Sequence, residues 1–365
     1  MHSNMVVNSH NEWDKLEEVI VGAGIPETLP AIDFTFKMFF HDNIQFAHEK
    51  VINPQINKRH IAEHNEDIED FANLLSSLGI IVKRPKLPTK IHRIKTPNWD
   101  SAVFPALNVR DLTLIVGNEI IETPVSCRWR YHENDYMKHL FSEYFKMGAK
   151  WTQAPKPILT DYSFDLSHIT QANGGQIDQL HRTASYMDLG NEMMFDAANI
   201  IRLGKHLLFN TSSSNMKMGL EWLQRNLGDS YKVWECNITD NHIDSSILPL
   251  KPGLFLVTRD DFWHLLPPEL QKWDKILIEP KNRSIEDIEL SGIKLASNRI
   301  ELNVFSVSPE LIICHPEYEA ELNSKLKPYG ITAIGSRMRH CEIFSGAHHC
   351  TTLDIRRQSK LENYF

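Results

Sequence analysis

Two local patterns, each recurring about five times, limit most strongly what this 365-residue chain can fold into. The first is a short apolar run, typical of a strand buried on both faces, at residues 18–21, 112–116, 206–209, 254–257 and 311–314. The second is a helical stripe of apolar residues that leads into another apolar run. Such stripes end at Gly79, Gly148, Gly228 and Gly330, and a weaker stripe spans 265–273. Glycine suits the left-handed position after a helix, so the patterns together predict alternating helices and strands.

This recurrence is compatible with two architectures. A repeat of mixed α/β units that closes on itself would produce both patterns. An ordinary pair of α/β domains also alternates strands and helices, and the chain length fits two such domains or one large closed fold. No low-complexity linker divides the chain. The patterns alone leave both architectures open.

The composition narrows the classes of partner. Apolar residues make up 42% and charged residues 24%, which is enough for a substantial core and excludes global disorder. Lys and Arg number 39 against 47 Asp and Glu, which gives a net charge of −8 with no basic stripe. Nucleic acid and anionic membrane are therefore poor candidates, and a small cationic substrate is the more natural partner. The apolar runs are also far too short for a membrane span.

The cysteines and the first residues predict a cellular compartment. There are five cysteines, an odd number, and no two have CxxC spacing. The N-terminal residues show no basic region followed by an apolar stretch, so we expect no signal peptide. Reduced thiols in the cytoplasm are the resulting expectation.

Cys350 has the most suggestive surroundings of the five cysteines. It follows Gly346 and two histidines, and a glycine lets the chain turn closely beneath a substrate. A thiol becomes a good nucleophile where a base or positive charge favours the thiolate, but a buried structural cysteine is the alternative. A zinc site of His340, His348, His349 and Cys350 is disfavoured, because adjacent histidines in a strand point to opposite faces. We therefore predict no metal here.

Four other residues are candidates for proton transfer or for binding a cation. If the segment is extended, His242 and Asp244 project from one face and suit proton transfer at a cationic substrate; a surface loop is the alternative. Asp196 lies between an apolar run and two alanines, so it either pairs with a buried histidine or caps a helix. Asp111 stands at the mouth of a strand, where a turn residue is common. None of these sites is decisive alone.

Seven segments, taken in order, resemble the arginine amidinotransferase family, which includes glycine amidinotransferase and the inosamine-phosphate enzymes. The last two contain His-Ile-Asp at 242–244 and His-Cys followed by Asp-Ile-Arg-Arg at 354–357. Seven ordered matches over nearly the whole chain are more specific than any one motif. The matching segments are 8–22, 109–122, 148–157, 195–204, 219–227, 242–244 and 349–357.

The resemblance implies a fold, a reaction and a set of residue roles. The fold would be one domain over residues 1–365, a five-bladed α/β propeller of the pentein superfamily with the active site at its centre. The reaction would move the amidino group of arginine to an amine through a covalent intermediate on cysteine, with no cofactor; a homodimer is allowed. By the family pattern, Cys350 is the nucleophile, His242 is the general acid and base, Asp196 orients His242, Asp111 and Asp244 hold the guanidinium, and Ser297 lies near the substrate.

The identity of the acceptor depends on where the chain departs from the family. Residues 237–241 and 252–281 differ from the glycine-using members, and Asp261 stands where those members place an arginine for the donor's carboxylate, with Arg259 two positions away. No extra basic cluster favours a phosphate-bearing acceptor. Lysine is therefore the predicted acceptor, as in the lysine-using enzymes of toxin pathways. Glycine, an inosamine phosphate, hydrolysis of arginine and non-catalytic guanidine binding are the alternatives.

Overall fold

The computed structural model describes residues 5–26, 32–33, 35, 51–52, 56–87, 90–163, 192–239, 242–279, 281 and 300–365. Over these residues the chain forms five α-helices and nineteen strands. The helices are α1 (Lys58–Ser77), α2 (Lys138–Lys146), α3 (Ser214–Leu227), α4 (Pro316–Leu326) and α5 (Cys341–Phe344). The strands are β1 (Leu16–Val21), β2 (Ile32–Asp33), β3 (Val51–Ile52), β4 (Ile81–Lys83), β5 (Arg93–Lys95), β6 (Asp100–Ala102), β7 (Thr113–Val116), β8 (Glu119–Glu122), β9 (Lys150–Gln153), β10 (Ile200–Leu203), β11 (His206–Asn210), β12 (Lys232–Cys236), β13 (Ile247–Lys251), β14 (Leu254–Val257), β15 (Asp274–Leu277), β16 (Phe305–Ser308), β17 (Leu311–Cys314), β18 (Thr332–Gly335) and β19 (Thr352–Arg357).

Five of the sheets share one topology. In four of them, two consecutive strands form an antiparallel hairpin and a third strand lies parallel to the second; these are β7-β8-β9, β10-β11-β12, β13-β14-β15 and β16-β17-β18. The fifth sheet, β19-β1-β4, repeats the pattern with its first strand supplied from the C-terminal end. Pairing of β19 with β1 closes the series into a ring. The chain is a five-bladed α/β propeller, and the prediction of a closed repeat is confirmed.

The local sequence explains why each blade forms. Each blade contains a strand that is mostly apolar and buried, such as Thr113–Val116 (β7), the first strand of its blade, and Leu254–Val257 (β14), the second strand of its own. Helices α1, α2, α3 and α4 lead to the third strand of their blades, and each is followed by a glycine with positive φ, between +63° and +104°. Only glycine adopts such angles without strain. The β13-β14-β15 blade has two short 3₁₀ turns in place of a helix, Trp263–Leu265 and Leu270–Lys272.

The centre of the ring holds a cluster of buried charges. Glu12, Arg110, Arg202, Asp354 and Arg357 are each no more than 6% exposed. Arg202 of β10 contacts Glu12 and Asp354, and its guanidinium also donates to a β7 carbonyl, so blades are joined at the axis. Within the described ranges, no helix is long and apolar enough to cross a bilayer.

Candidate functional site

Cys350 lies in a tight turn between α5 and β19, near the central cluster. The backbone N–H of Thr351 donates to the carbonyl of Ala347 across this turn, at 3.0 Å. The backbone N–H of Cys350 donates to Oδ1 of Asn303 at 2.8 Å. Its side chain is 1% exposed, and its Sγ lies 3.5 Å from Oδ2 of Asp244. The thiol is therefore fixed by its backbone and directed at a carboxylate.

The charges around Cys350 differ from those that the sequence suggested. A nearby base or positive charge was expected to favour the thiolate. Instead, burial raises the pKa of the Cys350 thiol well above its usual value, and the negative charges of Asp244 and Asp111 raise it further. These surroundings favour the neutral, protonated thiol.

His242 is held between two carboxylates. Its Nε2 lies 3.1 Å from Oδ2 of Asp196, and its Nδ1 lies 3.7 Å from Oδ1 of Asp111. The segment is not extended, because Ile243–Ser245 forms a 3₁₀ turn with His242 at its N-cap position. The turn nonetheless brings His242 and Asp244 to one site, so the assumed local structure was wrong.

The charge of His242 follows from these neighbours. Burial alone would lower its pKa, but Asp111, Asp196 and Asp244 outweigh burial and raise the pKa to about 9. The imidazole is therefore a cation at neutral pH. A protonated histidine among several carboxylates can deliver a proton to a leaving group.

The alternatives for the two aspartates are resolved by their partners. Asp196 precedes the 3₁₀ turn Ala197–Asn199 but makes no capping hydrogen bond with its side chain, which pairs with His242 instead. Asp111 does occupy a turn, since its N–H donates to the carbonyl of Asn108 at 3.1 Å. Its carboxylate is buried and accepts from Arg130 at 2.7 Å.

Three buried carboxylates therefore face one small region. One oxygen of each, Oδ1 of Asp111, Asp196 and Asp244, has no hydrogen-bond partner in the described part of the chain. A buried acceptor without a donor is costly unless a ligand supplies one. The arrangement suits a cation with several N–H donors.

Asp111 is held by Arg130, which is itself held by Glu133; the sequence analysis singled out neither of these buried residues. Arg130 donates to Asp111 and also to both oxygens of Glu133, at 2.6 and 3.0 Å. Burial raises the pKa of Glu133 to about 7 even though Arg130 opposes the shift. Nothing in Arg-Trp-Arg at 128–130 distinguishes a buried arginine from an exposed one, so the sequence carried no signal.

Two further residues hold Asp244. Nδ1 of His349 lies 2.7 Å from Oδ2 of Asp244. The side-chain amide of Asn303 donates to the Asp244 carbonyl at 3.1 Å, while its oxygen accepts from Cys350. His349 was weighed as a zinc ligand and otherwise missed, although its position beside Cys350 was a usable signal.

The remaining candidates lie elsewhere. Ser297 falls outside the described residues. Arg259 donates to the carbonyl of Ile238, and its Nε lies 3.2 Å from Oδ1 of Asp261.

Among the residues that the structure describes, no group of three or more His, Cys, Asp or Glu could hold a metal ion. His348 and His349 occupy a turn, not a strand, and their rings contact Ser336 and Asp244 respectively.

Comparison with known proteins gives a consistent group of relatives. An inosamine-phosphate amidinotransferase of Streptomyces griseus is 34% identical, over 97% of this chain and 98% of its own. A solved structure of such an enzyme from the same organism has a TM-score of 0.82, with 32% identity and 99% coverage of both chains. The L-arginine:L-lysine amidinotransferase of Pseudomonas savastanoi pv. phaseolicola is 33% identical, over 98% of this chain and 96% of its own. The mitochondrial glycine amidinotransferase of Gallus gallus is 31% identical, over 98% and 85%. No family model matches.

Proposed function

The chain belongs to the amidinotransferase family, and we propose that it moves the amidino group of L-arginine through Cys350 to an amine, with L-lysine as the preferred acceptor. One observation carries the proposal. A buried thiol, a cationic histidine and three carboxylates converge on one site, and one oxygen of each carboxylate lacks a hydrogen-bond donor among the described residues. That combination supplies a nucleophile, an acid and a binding site for a guanidinium.

The carboxylates bind the donor. Oδ1 of Asp111 and Oδ1 of Asp244 each lack a hydrogen-bond donor among the described residues, and each can accept from guanidinium N–H groups. Charge-assisted hydrogen bonds of this kind are the stronger ones, and they keep the guanidinium protonated and electrophilic. The positive charge of the donor also offsets the two carboxylates that hold the thiol in its neutral form. Donor binding thereby activates Cys350.

The first half-reaction transfers the amidino group to sulfur. Sγ of Cys350 attacks the guanidino carbon of arginine, and a C–S bond forms as the bond from that carbon to the chain nitrogen breaks. His242, a cation at neutral pH, gives its proton to the departing nitrogen, and ornithine leaves. The thiol proton passes to Oδ2 of Asp244, which lies 3.5 Å from Sγ. His242 is left neutral and can accept a proton in the second half-reaction.

The second half-reaction reverses these roles. The neutral acceptor amine attacks the carbon on sulfur and gives a proton to His242 as the new C–N bond forms. The C–S bond breaks, and Cys350 leaves as a thiolate that recovers its proton from Asp244. Asp196 holds the imidazole through its Nε2 in both halves. The product is a new guanidinium compound, and the enzyme returns to its starting state.

The charge of the site supports an acceptor that is an amine without a phosphate. Among the described residues, Arg130 is already committed to Asp111 and Glu133, and Arg259, which lies outside this cluster, is committed to Ile238 and Asp261. Neither is positioned to bind a phosphate without losing these partners. The relatives that use inosamine phosphate, lysine and glycine have similar identity, at 34%, 33% and 31%. Lysine is preferred because residues 237–241 and 252–281 depart from the glycine-using members.

The nucleophile is tested by trapping the intermediate. After incubation with arginine alone, the peptide that contains Cys350 should gain one amidino group. Cys350→Ser should lose this adduct and all turnover, because serine forms no anion at neutral pH. Cys127→Ser is the matched control, since Cys127 is also buried and its Sγ lies 3.8 Å from the carbonyl of Thr35. An adduct on any other cysteine would overturn the assignment.

The acceptor is tested by competition. With limiting arginine and equal lysine and glycine, we expect mainly homoarginine when the products are separated by mass. Discrimination between acceptors depends on the contacts that each amine makes in its transition state. The ratio of the two products therefore reports on the residues that contact the acceptor. Mainly guanidinoacetate would refute lysine but retain the transferase. Citrulline without either product would indicate hydrolysis.

A further inference from the structure

His349 is a buried histidine at the site for which the reaction above has no role. Its side chain is 5% exposed, and its Nδ1 lies 2.7 Å from Oδ2 of Asp244, the same oxygen that Cys350 Sγ approaches to 3.5 Å. Its backbone is also fixed: its N–H donates to the Asn303 carbonyl at 3.1 Å, and its carbonyl accepts from Arg110 at 2.9 Å. The ring is therefore held against one particular carboxylate oxygen.

The other side of the ring faces the central charge cluster. Nε2 of His349 lies 3.6 Å from Oε2 of Glu12, beyond hydrogen-bond range but within ion-pair range. Glu12 in turn binds Arg202, which also binds Asp354. The imidazole thus connects the donor-binding carboxylate to the rigid axis of the propeller.

His348, the preceding residue, shows that this placement is specific. It is fully buried, and its Nε2 lies 3.0 Å from the carbonyl of Ser336, while its ring packs edge-on against Phe71. Within the described residues, its ring bonds to Ser336 and not to Asp244 or Glu12. Two adjacent buried histidines therefore have different surroundings, and one can serve as the control for the other.

We propose that His349 is a positioning residue for the donor: it donates to Oδ2 of Asp244, and so directs Oδ1 of that carboxylate toward the guanidinium. This inference rests on the proposed function. A carboxylate with one oxygen anchored has a defined rotamer, and its free oxygen points in one direction. A carboxylate also needs a donor to stay ionised when buried beside a thiol. Consistent with this, burial would raise the pKa of Asp244, but the hydrogen bond and charge of His349 hold it below its usual value.

Substitutions can separate this hydrogen bond from the volume of the ring. His349→Asn keeps an N–H close to the position of Nδ1, His349→Gln places one near Nε2, and His349→Leu removes both. We expect kcat/KM for arginine to fall about 30-fold in His349→Leu and about 10-fold in His349→Gln, and to stay within about threefold in His349→Asn. His348→Leu should lower the Tm without changing kcat/KM. If His349→Leu fails to fold, the test is the comparison of His349→Asn with His349→Gln. Equal kcat/KM values for these two variants would overturn the proposal.

A binding measurement separates this inference from the proposed function. In a Cys350→Ser background, arginine binding is measured by calorimetry from about pH 4 to pH 8. Adding His349→Leu should weaken binding about 10-fold and move its acid limb to higher pH, because the pKa of Asp244 is no longer held down by His349. Unchanged affinity and pH dependence would overturn the role of His349 while the proposed function stands. If Cys350→Ser alone binds no arginine, the proposed function fails first, and this role fails with it.

Discussion

At the scale of single residues, three carboxylates determine when His242 carries a charge. Its pKa is raised to about 9 in the folded protein from 6.5 in the unfolded chain, so it stabilises the fold fully below pH 6.5. That contribution is lost as the pH rises through about 9. At about 1.4 kcal/mol per pH unit, the contribution is on the order of 3 kcal/mol. Only the folded-state value bears on catalysis, because His242 carries a proton that it can donate below about pH 9.

The first prediction compares His242→Gln with the wild type. The Tm of the wild type should exceed that of the variant by more at pH 6 than at pH 10, because only the wild type carries the stabilising cation. His348→Gln is the control. Burial lowers the pKa of His348 to about 4, so its ring is neutral in the folded protein over this range. Only the unfolded chain takes up a proton near pH 6, so any change in the Tm difference for His348→Gln should be small and opposite in sign. A Tm difference for His242→Gln that is independent of pH would refute the assigned charge.

The roles of individual residues could be predicted only from the resemblance to a family, which depends on several motifs that occur in the family's order. Cys350, His242, Asp196, Asp111 and Asp244 are all buried at one site, as the resemblance implied, and their catalytic roles remain proposals. Arg130 and Asn303 were not predicted, because they act through Asp111, Asp244 and a backbone N–H that are distant in sequence. Periodicity identifies what is buried, but it does not identify which buried polar groups meet.

At the scale of elements, the apolar runs and the glycines predicted most of each blade. Strands at 254–257 and 311–314 have the predicted bounds. The helix predicted over 265–273 is instead a pair of 3₁₀ turns, since Pro267 and Pro268 lack the N–H groups that a helix there would need. The pairing of β1 with β19 was not visible locally, because no short-range pattern reports a partner more than 300 residues away.

The second prediction concerns Gly219, in the middle of α3. Alanine is normally favoured over glycine in a helix by about 1 kcal/mol. Here a Cβ would stand 2.2 Å from the ring of Phe195, which is fully buried and precedes Asp196. Gly219→Ala should therefore lower stability by about 1–3 kcal/mol and reduce kcat/KM, because Asp196 shifts with Phe195. Met218→Ala, at a neighbouring position that is 39% exposed, is the control and should change neither quantity. A more stable Gly219→Ala would show that the helix can move away from Phe195.

At the scale of the whole molecule, the central charge cluster links the blades to one another and to both ends of the described chain. Arg202 of β10 donates to Ser9 and to the Ile115 carbonyl of β7. Arg357 of β19 donates to the Ser306 carbonyl of β16. Glu12 contributes the negative charge that lies between Arg202 and Arg110. A ring closed by β-pairing at one position is thus also held together at its axis.

The third prediction is that this axis, more than the rim, determines stability. Glu12→Gln leaves two buried guanidinium groups short of a counter-charge, which typically costs about 3–5 kcal/mol. Glu17→Gln removes a carboxylate of the same type that is 35% exposed and pairs with Arg356 at 2.9 Å; it should cost about 0–1 kcal/mol. Melting of both variants at pH 7 should show a much larger loss for Glu12→Gln.

Acidification provides an independent check on the same residue. Burial would raise the pKa of Glu12, but the charge of Arg202 and the contact with His349 hold it well below the usual 4.5. Its stabilising effect is therefore present above pH 4.5 and lost as the pH falls below that value. The Tm difference between wild type and Glu12→Gln should accordingly shrink in acid, whereas the Tm difference for Glu17→Gln is already small at pH 7 and should change little. Equal costs for the two variants at pH 7 would mean that the blades are held by their apolar layers and by the β1–β19 pairing, with the axis contributing no more than a surface ion pair.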